Sequence, residues 1–281
     1  MKDRIYKECK ICGSQIKRIN IQHNLIECVS CNLVFCEKKF TKEEFVDVYN
    51  KLYNSLSLKP QYAIHSVKEY NDLLKGKINI GYNRRRIINE IVNNKSKVLE
   101  IGSGVGLIGM YLTKKKDIKY QGIEIDKKTH LKAKELGVNS INGDFSVMSK
   151  LKVKYDTIML WEVLEHLQDV NMFLDLVKER LLNNGNLVFS VPNYDKRKNF
   201  NKKNKDIDNL YQSGPPIHLN FFTKNSILNI LNYHGFTVKY IRVKRFPYLN
   251  LKRPKFYREF FKSIFGFYEG PTLYISATYE K

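Results

Sequence analysis

Sixteen residues constrain this chain more than any others. Lys97-Val98-Leu99-Glu100-Ile101 reads as a short apolar strand, and Gly102-Ser103-Gly104-Val105-Gly106 follows at once. Leu107, Ile108, Met110, Tyr111 and Leu112 then recur at helical spacing. A strand that passes through a glycine turn into a helix is the opening unit of a parallel α/β sheet. The glycines let the backbone turn sharply and let a ligand approach the main chain. A second strand, Tyr120-Gln121-Gly122-Ile123-Glu124-Ile125, carries a carboxylate, Glu124, 22 residues beyond Gly102. That is close to the separation at which an acidic side chain reaches a ribose hydroxyl pair.

Further stretches follow in a fixed order. Asn142-Gly143-Asp144-Phe145 comes after a third strand. Tyr155-Asp156-Thr157-Ile158-Met159-Leu160-Trp161 is a fourth strand, followed by Glu162-Val163-Leu164-Glu165-His166-Leu167. Leu181 to Asn193 reads as a helix end, a turn at Asn183-Asn184-Gly185, a fifth strand and a trailing Pro192-Asn193. Pro215-Pro216-Ile217-His218-Leu219-Asn220-Phe221-Phe222-Thr223 precedes a helix from Asn225 to His234, and Gly235-Phe236 opens another strand. Leu273 to Tyr279 closes the set.

Together these residues resemble the class I methyltransferases that use S-adenosylmethionine (SAM), in the branch marked by E-V-L-E-H. The resemblance covers residues 97–245 and the final strand. It implies an α/β, Rossmann-like sheet of seven strands, the last antiparallel. A nicotinamide-binding loop would prefer G-x-G-x-x-G, whereas here Leu107 follows Gly106. By the resemblance, Glu100, Gly102, Ser103, Gly104 and Gly106 hold the methionine end of SAM. Glu124 takes the ribose, Asp144 the adenine amino group, and Ile125 and Phe145 the adenine faces. Trp161 and Glu162 border cofactor and acceptor. His166 and His218 are the candidate general bases, because imidazole titrates near working pH. Ordinary packing offers another use for each group: a tight turn at the glycines, a helix cap at Asp144, a solvated face for Glu162 and Glu165.

Four of the five cysteines form two knuckles, Cys9-Lys-Ile-Cys12 and Cys28-Val-Ser-Cys31, with fifteen residues between them. That spacing is a zinc-ribbon pattern, in which four thiolates close a tetrahedral shell and leave no open position. Such a site is structural, and the metal supplies the folding energy of a module too small for a core. Iron can use the same four thiolates; two disulfides are the other alternative, which a cytosolic setting disfavours. Gln15 to Ile19 and Asn24 to Glu27 read as strands, His23 as a loop residue, and Cys36 as a packed strand cysteine.

The expected organisation is a ribbon at 1–38, a helical connecting segment at 39–96 and a catalytic domain at 97–281, with an insertion at about 247–270. In the connecting segment, Thr41-Lys42-Glu43-Glu44 is a capping box and a helix runs from about Asn83 to Val92. Pro60 and Gly76 break a mixed stretch at 55–80. Arg84-Arg85-Arg86 stands in the first turn of the later helix, where the helix dipole disfavours cations, so a solvated turn is the default and anion binding the alternative.

The formal net charge is +21. That suits anionic partners, but the lysines are spread along the whole chain as a composition bias would spread them. No apolar run approaches the roughly 20 residues of a membrane span, and the charged start lacks the apolar stretch of a signal peptide, so a cytoplasmic enzyme is expected. Acceptor specificity is expected in the basic loop Asp195 to Lys205 and in the insertion. There Phe256, Tyr257, Phe260, Phe261, Ile264 and Phe265 form one stripe on a helix from Lys255 to Phe265. Core packing or a homodimer seam is the first use such a stripe suggests, and peripheral membrane contact the alternative. Three functions stay open. One is a methyltransferase acting on a small molecule, such as a sugar, nucleotide-sugar or surface-glycan precursor, with a phosphorylated acceptor suited to the basic loops. Another is an RNA methyltransferase, and the third a non-enzymatic zinc-ribbon adaptor.

Overall fold

The structure, a computed structural model, describes residues 4–20, 24–41, 43–45, 47, 60–114, 117–196, 215–247, 251–252 and 254–280. His23 and the part of the basic loop from residue 197 onward lie outside them, as does most of the helix expected after Thr41. The capping box itself is present: Thr41 Oγ1 accepts from the Glu44 N–H at 3.3 Å, and the Thr41 N–H donates to Glu44 Oε2 at 2.8 Å.

Seven strands form one sheet. They are β4 (Lys97–Ile101), β5 (Lys119–Glu124), β6 (Ser140–Asn142), β7 (Tyr155–Trp161), β8 (Leu181–Pro192), β10 (Phe236–Val243) and β11 (Thr272–Tyr279). Their order is β10-β11-β8-β7-β4-β5-β6. β4 runs parallel to both β5 and β7, and β5 runs parallel to β6. A central parallel strand is covered on both faces, which explains why four of the five residues of β4 are buried. The sequence moves outward from β4 in one direction through β5 and β6, and in the other through β7 and β8. That reversal is a topological switch point, and ligands of open α/β sheets bind at the carboxyl ends of the strands there. The sheet is the Rossmann-like one expected.

Helices α2 (Tyr82–Ile91), α3 (Leu107–Thr113) and α6 (Lys224–Tyr233) fall where the sequence places them, and α4 (Lys127–Glu135) and α5 (Val170–Arg180) are further helices that follow β5 and precede β8. Asp126 caps α4 and Asp169 caps α5; Thr223 and Ser226 form a capping box on α6. Helix α1 (Pro60–Leu74) is a correction. It occupies the stretch read as broken, because Pro60 is its first residue, a position where proline is favoured. The turn expected before the fifth strand is an irregular start to β8, with Asn184 at φ +59°.

Near the N-terminus β1 (Ile16–Asn20), β2 (Leu25–Cys28) and β3 (Val34–Cys36) pair in antiparallel fashion. A fourth strand, β9 (Asn220–Phe221), completes this sheet against β3, with Val34 opposite Phe221 and Phe35 opposite Asn220. Leu25, Val34 and Phe221 pack together with Tyr194 beside them. The chain forms two compact units. One comprises Met1–Lys39, Leu164–Gln168 and Phe189–Ala277; the other comprises Phe40–Val163, Asp169–Val188 and Thr278–Lys281. In the first, the strands beside the cysteine knuckles share a hydrophobic cluster and a sheet with residues from the second half of the sequence.

Of the uses expected for the stripe on α7 (Pro254–Ile264), exposure decides one. Phe256 is buried, but Tyr257, Phe260, Phe261, Ile264 and Phe265 are exposed, so within this chain the stripe is not core packing.

Candidate functional site

In the second compact unit the glycine loop follows β4 directly. Gly102, Gly104 and Gly106 all have positive φ, at +70°, +57° and +86°. A Cβ at Gly102 would fall 2.6 Å from the Val163 side chain, and one at Gly106 2.7 Å from Val138. A Cβ at Gly104 would meet nothing within 4 Å. The outer two glycines thus fit the loop against its neighbours, and the middle one faces open space. The Gly102 and Ser103 N–H groups both donate to the Ile123 carbonyl, which ties the loop to the end of β5.

Glu124 is buried at that strand end. Its Oε2 accepts from the Gly104 N–H at 2.8 Å, and its Oε1 accepts from the Asp126 N–H at 2.9 Å. Burial raises its carboxyl above the ordinary range, against the pull of these amides. A carboxylate has about four lone-pair sites, so beside these amides and that of Ile125 it keeps acceptor capacity for a ribose hydroxyl. Ile125, the next residue, is exposed. Asn142 Nδ2 donates to the Glu124 and Ile125 carbonyls, and the Gly143 N–H donates to the Glu124 carbonyl. These bonds bring Asp144 alongside the end of β5. Asp144 is exposed and does cap a short 3₁₀ helix, accepting from the Ser146 N–H through Oδ1 at 2.8 Å. Its other oxygen is not part of that cap. Phe145 meets Phe173 edge to face at 5.6 Å.

Glu100 is buried on β4 and accepts from the Tyr120 hydroxyl at 2.5 Å. Burial pushes its carboxyl up to about 8, while Tyr120 and the charge of Arg84 pull it down. The Arg84 guanidinium lies 5.5 Å from the centre of the Trp161 ring. Sequence reading left Arg84 as a solvated residue and missed this placement. The available signal was an arginine run in a helix first turn, where a cation needs a compensating partner. Trp161, at the end of β7, is buried, and its Nε1 has no hydrogen-bond partner among the described residues. Glu162 follows with φ +57°, a left-handed conformation that costs a non-glycine residue about 1–2 kcal/mol.

Three of these features suit SAM: the open space above Gly104, the remaining acceptor capacity of Glu124, and the indole donor of Trp161. All three stand at the ends of β4, β5 and β7, where the topology predicts a ligand.

In the first compact unit Glu165, His166 and His218 converge, with their ligand-type atoms within 4.8 Å of one another. Glu165 is 1% exposed and His218 6%. The solvated face considered for Glu165 is therefore wrong. His166 Nδ1 lies 2.7 Å from the Ile217 carbonyl. A carbonyl only accepts, so Nδ1 carries a proton, and Nε2 is the ring nitrogen turned toward Glu165 Oε1, 4.0 Å away. The two imidazole rings meet edge to face at 4.8 Å.

Asn220 holds this group together. Its Nδ2 donates to the Leu164 carbonyl at 3.1 Å and the Leu167 carbonyl at 2.7 Å. The Leu219 N–H donates to the Glu165 carbonyl, and the Cys36 N–H to the Leu219 carbonyl. A continuous set of hydrogen bonds thus runs from β3 through β9 to the turn that carries Glu165 and His166. Sequence reading did not single out Asn220.

The four knuckle cysteines also gather within 4.8 Å. Cys9 and Cys31 sulfurs are 3.6 Å apart, and those of Cys12 and Cys28 3.5 Å. Four thiolates about 2.3 Å from one zinc ion stand about 3.8 Å from each other, so the set is close to a tetrahedral shell. The Ile11 N–H donates to Cys9 Sγ, and the Ser30 and Cys31 N–H groups to Cys28 Sγ, which favours thiolates at the knuckles. Sharing a proton with Cys31 draws the Cys9 thiol down to about 5. Cys36 lies buried in β3 outside the cluster, and burial raises its thiol.

The sequence matches the family described as a methyltransferase domain over residues 79–241, more than half of the chain. No curated protein matches it. Among solved structures, one described as a SAM-dependent methyltransferase from Listeria monocytogenes is similar with a TM-score of 0.53 and 17% identity. That likeness covers 70% of this chain and 97% of the other. Magnesium protoporphyrin IX methyltransferase from Synechocystis PCC 6803, with bound SAH, gives a TM-score of 0.53 at 16% identity, covering 84% of this chain and 100% of that one. The plantazolicin methyltransferase, in complex with SAH, gives 0.51 at 13% identity over 82% and 93%. At such identities the likeness to these structures shows the fold alone. No helix among the described residues is long and apolar enough to cross a membrane. The family match, set on this sheet and this loop, makes the chain a member of the methyltransferase-domain family and a SAM-dependent methyltransferase.

Proposed function

We propose that this methyltransferase acts on a small-molecule acceptor, a sugar, nucleotide-sugar or surface-glycan precursor, and that phosphate on the acceptor meets the basic loops. The observation that carries the acceptor reading is the Glu165–His166–His218 group, with Glu165 and His218 buried and His166 half-buried, which suits a single hydroxyl more than a polymer surface. One similar structure is named for a porphyrin acceptor, which is also a small molecule. RNA is the second reading, and the net charge of +21 favours it.

SAM, when bound, supplies a methyl group already activated by the sulfonium, so the protein chiefly positions and desolvates the acceptor. Glu124 accepts from the ribose hydroxyls, and Asp144 from the adenine amino group. Ile125 and Phe145 cover the adenine. The backbone at Gly102, Ser103, Gly104 and Gly106 receives the methionine end, with Glu100 and Arg84 close by. Trp161 and Glu162 border the acceptor. His218 takes the hydroxyl proton, and His166, its Nδ1 fixed by Ile217, orients it. Cys9, Cys12, Cys28 and Cys31 hold one structural zinc ion.

Titration calorimetry of zinc-replete protein with SAM, beside Glu124→Ala, tests the cofactor half. The variant is expected to weaken binding about a hundredfold, the loss of two hydrogen bonds to a charged group. Equal affinity in both proteins would remove Glu124 from the site. Acceptors are then screened from nucleotide-sugars to RNA. His218→Ala is expected to cut turnover about a hundredfold or more at unchanged SAM affinity. A steep fall of acceptor affinity with salt would select RNA, and a shallow one the small molecule.

A further inference from the structure

We propose that α7 and the residues flanking it seat this chain on an anionic lipid surface. Every exposed phenylalanine among the described residues lies in one short stretch: Phe246, Phe260, Phe261, Phe265 and Phe267. Leu251, Tyr257 and Ile264 are exposed beside them in sequence. Phe265 is 69% and Phe267 78% exposed, against 4% for Phe256.

At about 100° per residue, α7 has three sides. Phe256 and Ser263 fall on one side and are buried. Ser263 Oγ donates to the Arg245 carbonyl, and the Arg245 guanidinium donates to the Gly266 carbonyl at 3.0 Å. These contacts fix the helix and leave its second side outward. That side carries Tyr257, Phe260, Phe261, Ile264 and Phe265, with Phe256 stacked on Phe260 beneath its edge. The third side carries Lys255, Arg258 and Lys262, all exposed. Glu259 lies toward the buried side, and Glu269 beyond the helix is paired with Lys224 at 2.6 Å. Even with Glu259 set against them, three cations leave this flank of α7 net basic.

An apolar side bordered by a basic one is the arrangement of helices that lie in a membrane interface. The aromatic rings and Ile264 enter the boundary of the acyl chains, and the cations meet phosphate-bearing headgroups. Charge decides between this occupant and a second copy of the chain. An isologous dimer through the same face would bring two strips of Lys255, Arg258 and Lys262 together in molecules of net charge +21 each. An anionic bilayer complements both sides at once, with about 1 kcal/mol for each basic residue near its surface.

The test is co-sedimentation of the full, zinc-replete chain with phosphatidylcholine vesicles, with and without phosphatidylglycerol. Binding is expected to be at least about tenfold stronger with phosphatidylglycerol and to weaken with added salt. Phe261→Ser with Phe265→Ser should reduce binding to phosphatidylglycerol vesicles about tenfold or more at unchanged SAM affinity, which reports an intact fold. Should that pair fold poorly, Lys255→Gln with Arg258→Gln and Lys262→Gln tests the charge half and should reduce binding comparably. The proposal is overturned if the two vesicle types bind alike, or if the variants bind as well as the parent. It is also overturned if sedimentation shows a dimer that these variants dissociate while vesicles are ignored.

Discussion

The residues proposed to hold SAM and the histidine group are built by opposite means. The groups assigned to SAM lie at the ends of adjacent strands, and main-chain groups hold them. Gly104 and Asp126 hold Glu124, while Asn142 ties β6 to the Glu124 and Ile125 carbonyls. Glu165, His166 and His218 are instead held by bonds that join distant parts of the chain: Asn220 to Leu164 and Leu167, and Cys36 to Leu219. A site made by local geometry follows the strands that carry it. A site made by long-range bonds depends on every segment that contributes one.

Removing the zinc ion proposed for the four cysteines is the severest way to break this contrast. A chelator is expected to open residues 9–36 and, through β3 and β9, to raise amide exchange at 164–168 and 217–221 by about tenfold or more. SAM affinity should change less than threefold, because the residues assigned to it lie between 84 and 162. Hydrogen-exchange mass spectrometry reads both parts. Protection of 164–168 in a metal-free ribbon would show that the cysteine knuckles do not support the histidines.

Asn220→Leu removes the side-chain bonds of that set and leaves its main-chain bonds and the cysteines intact. Two buried carbonyls lose their donor, at about 1–3 kcal/mol each. The His166 and His218 imidazole signals should shift in NMR spectra while SAM affinity holds. Unchanged imidazole signals would leave Asn220 a purely local bond.

Gly104→Ala sharpens the comparison from the other side. The methyl group enters the open space above the loop, and φ +57° strains any side chain. SAM binding is expected to weaken about tenfold, with about 1 kcal/mol lost from stability. Full affinity would mean that the ligand approaches elsewhere.

The smallest effect concerns pH. Burial raises Glu100 from 4.5 to about 8, so across that window the folded protein keeps a proton that the unfolded chain has released. Stability then falls as pH rises from about 4.5 to about 8. Glu100→Gln cannot ionise and should flatten this slope, raising the thermal midpoint of the SAM-free protein at pH 8 by at least about 2–4 °C. Parallel slopes in the two proteins would place the titrating group elsewhere.

The contrast also explains what the sequence revealed. Glycine turns, strand ends and cysteine knuckles are local, and spacing together with the family resemblance made the sheet, the glycine loop and the cysteine cluster legible. The capping boxes at Thr41 and Thr223 were readable for the same reason. β9 has two residues and no periodicity, so its pairing with β3 left no trace in the sequence. Arg84 over Trp161 joins residues 77 positions apart, and only the fold brings them together. Helix α1 was obscured because a proline that opens a helix and a proline that interrupts one look alike without the backbone.

The pairing of β3 with β9 has a consequence for how the chain is made. Val34 leaves the ribosome about 185 residues ahead of Phe221, roughly ten to forty seconds at about 5–20 residues per second. Through that interval the outer edge of β3 presents unpaired N–H and C=O groups, a template for strands of other nascent chains. Early metal capture would secure β1 to β3 without closing that edge. The hazard ends only when Asn220 and Phe221 arrive, so the yield of folded protein should depend on translation speed across the middle of the message.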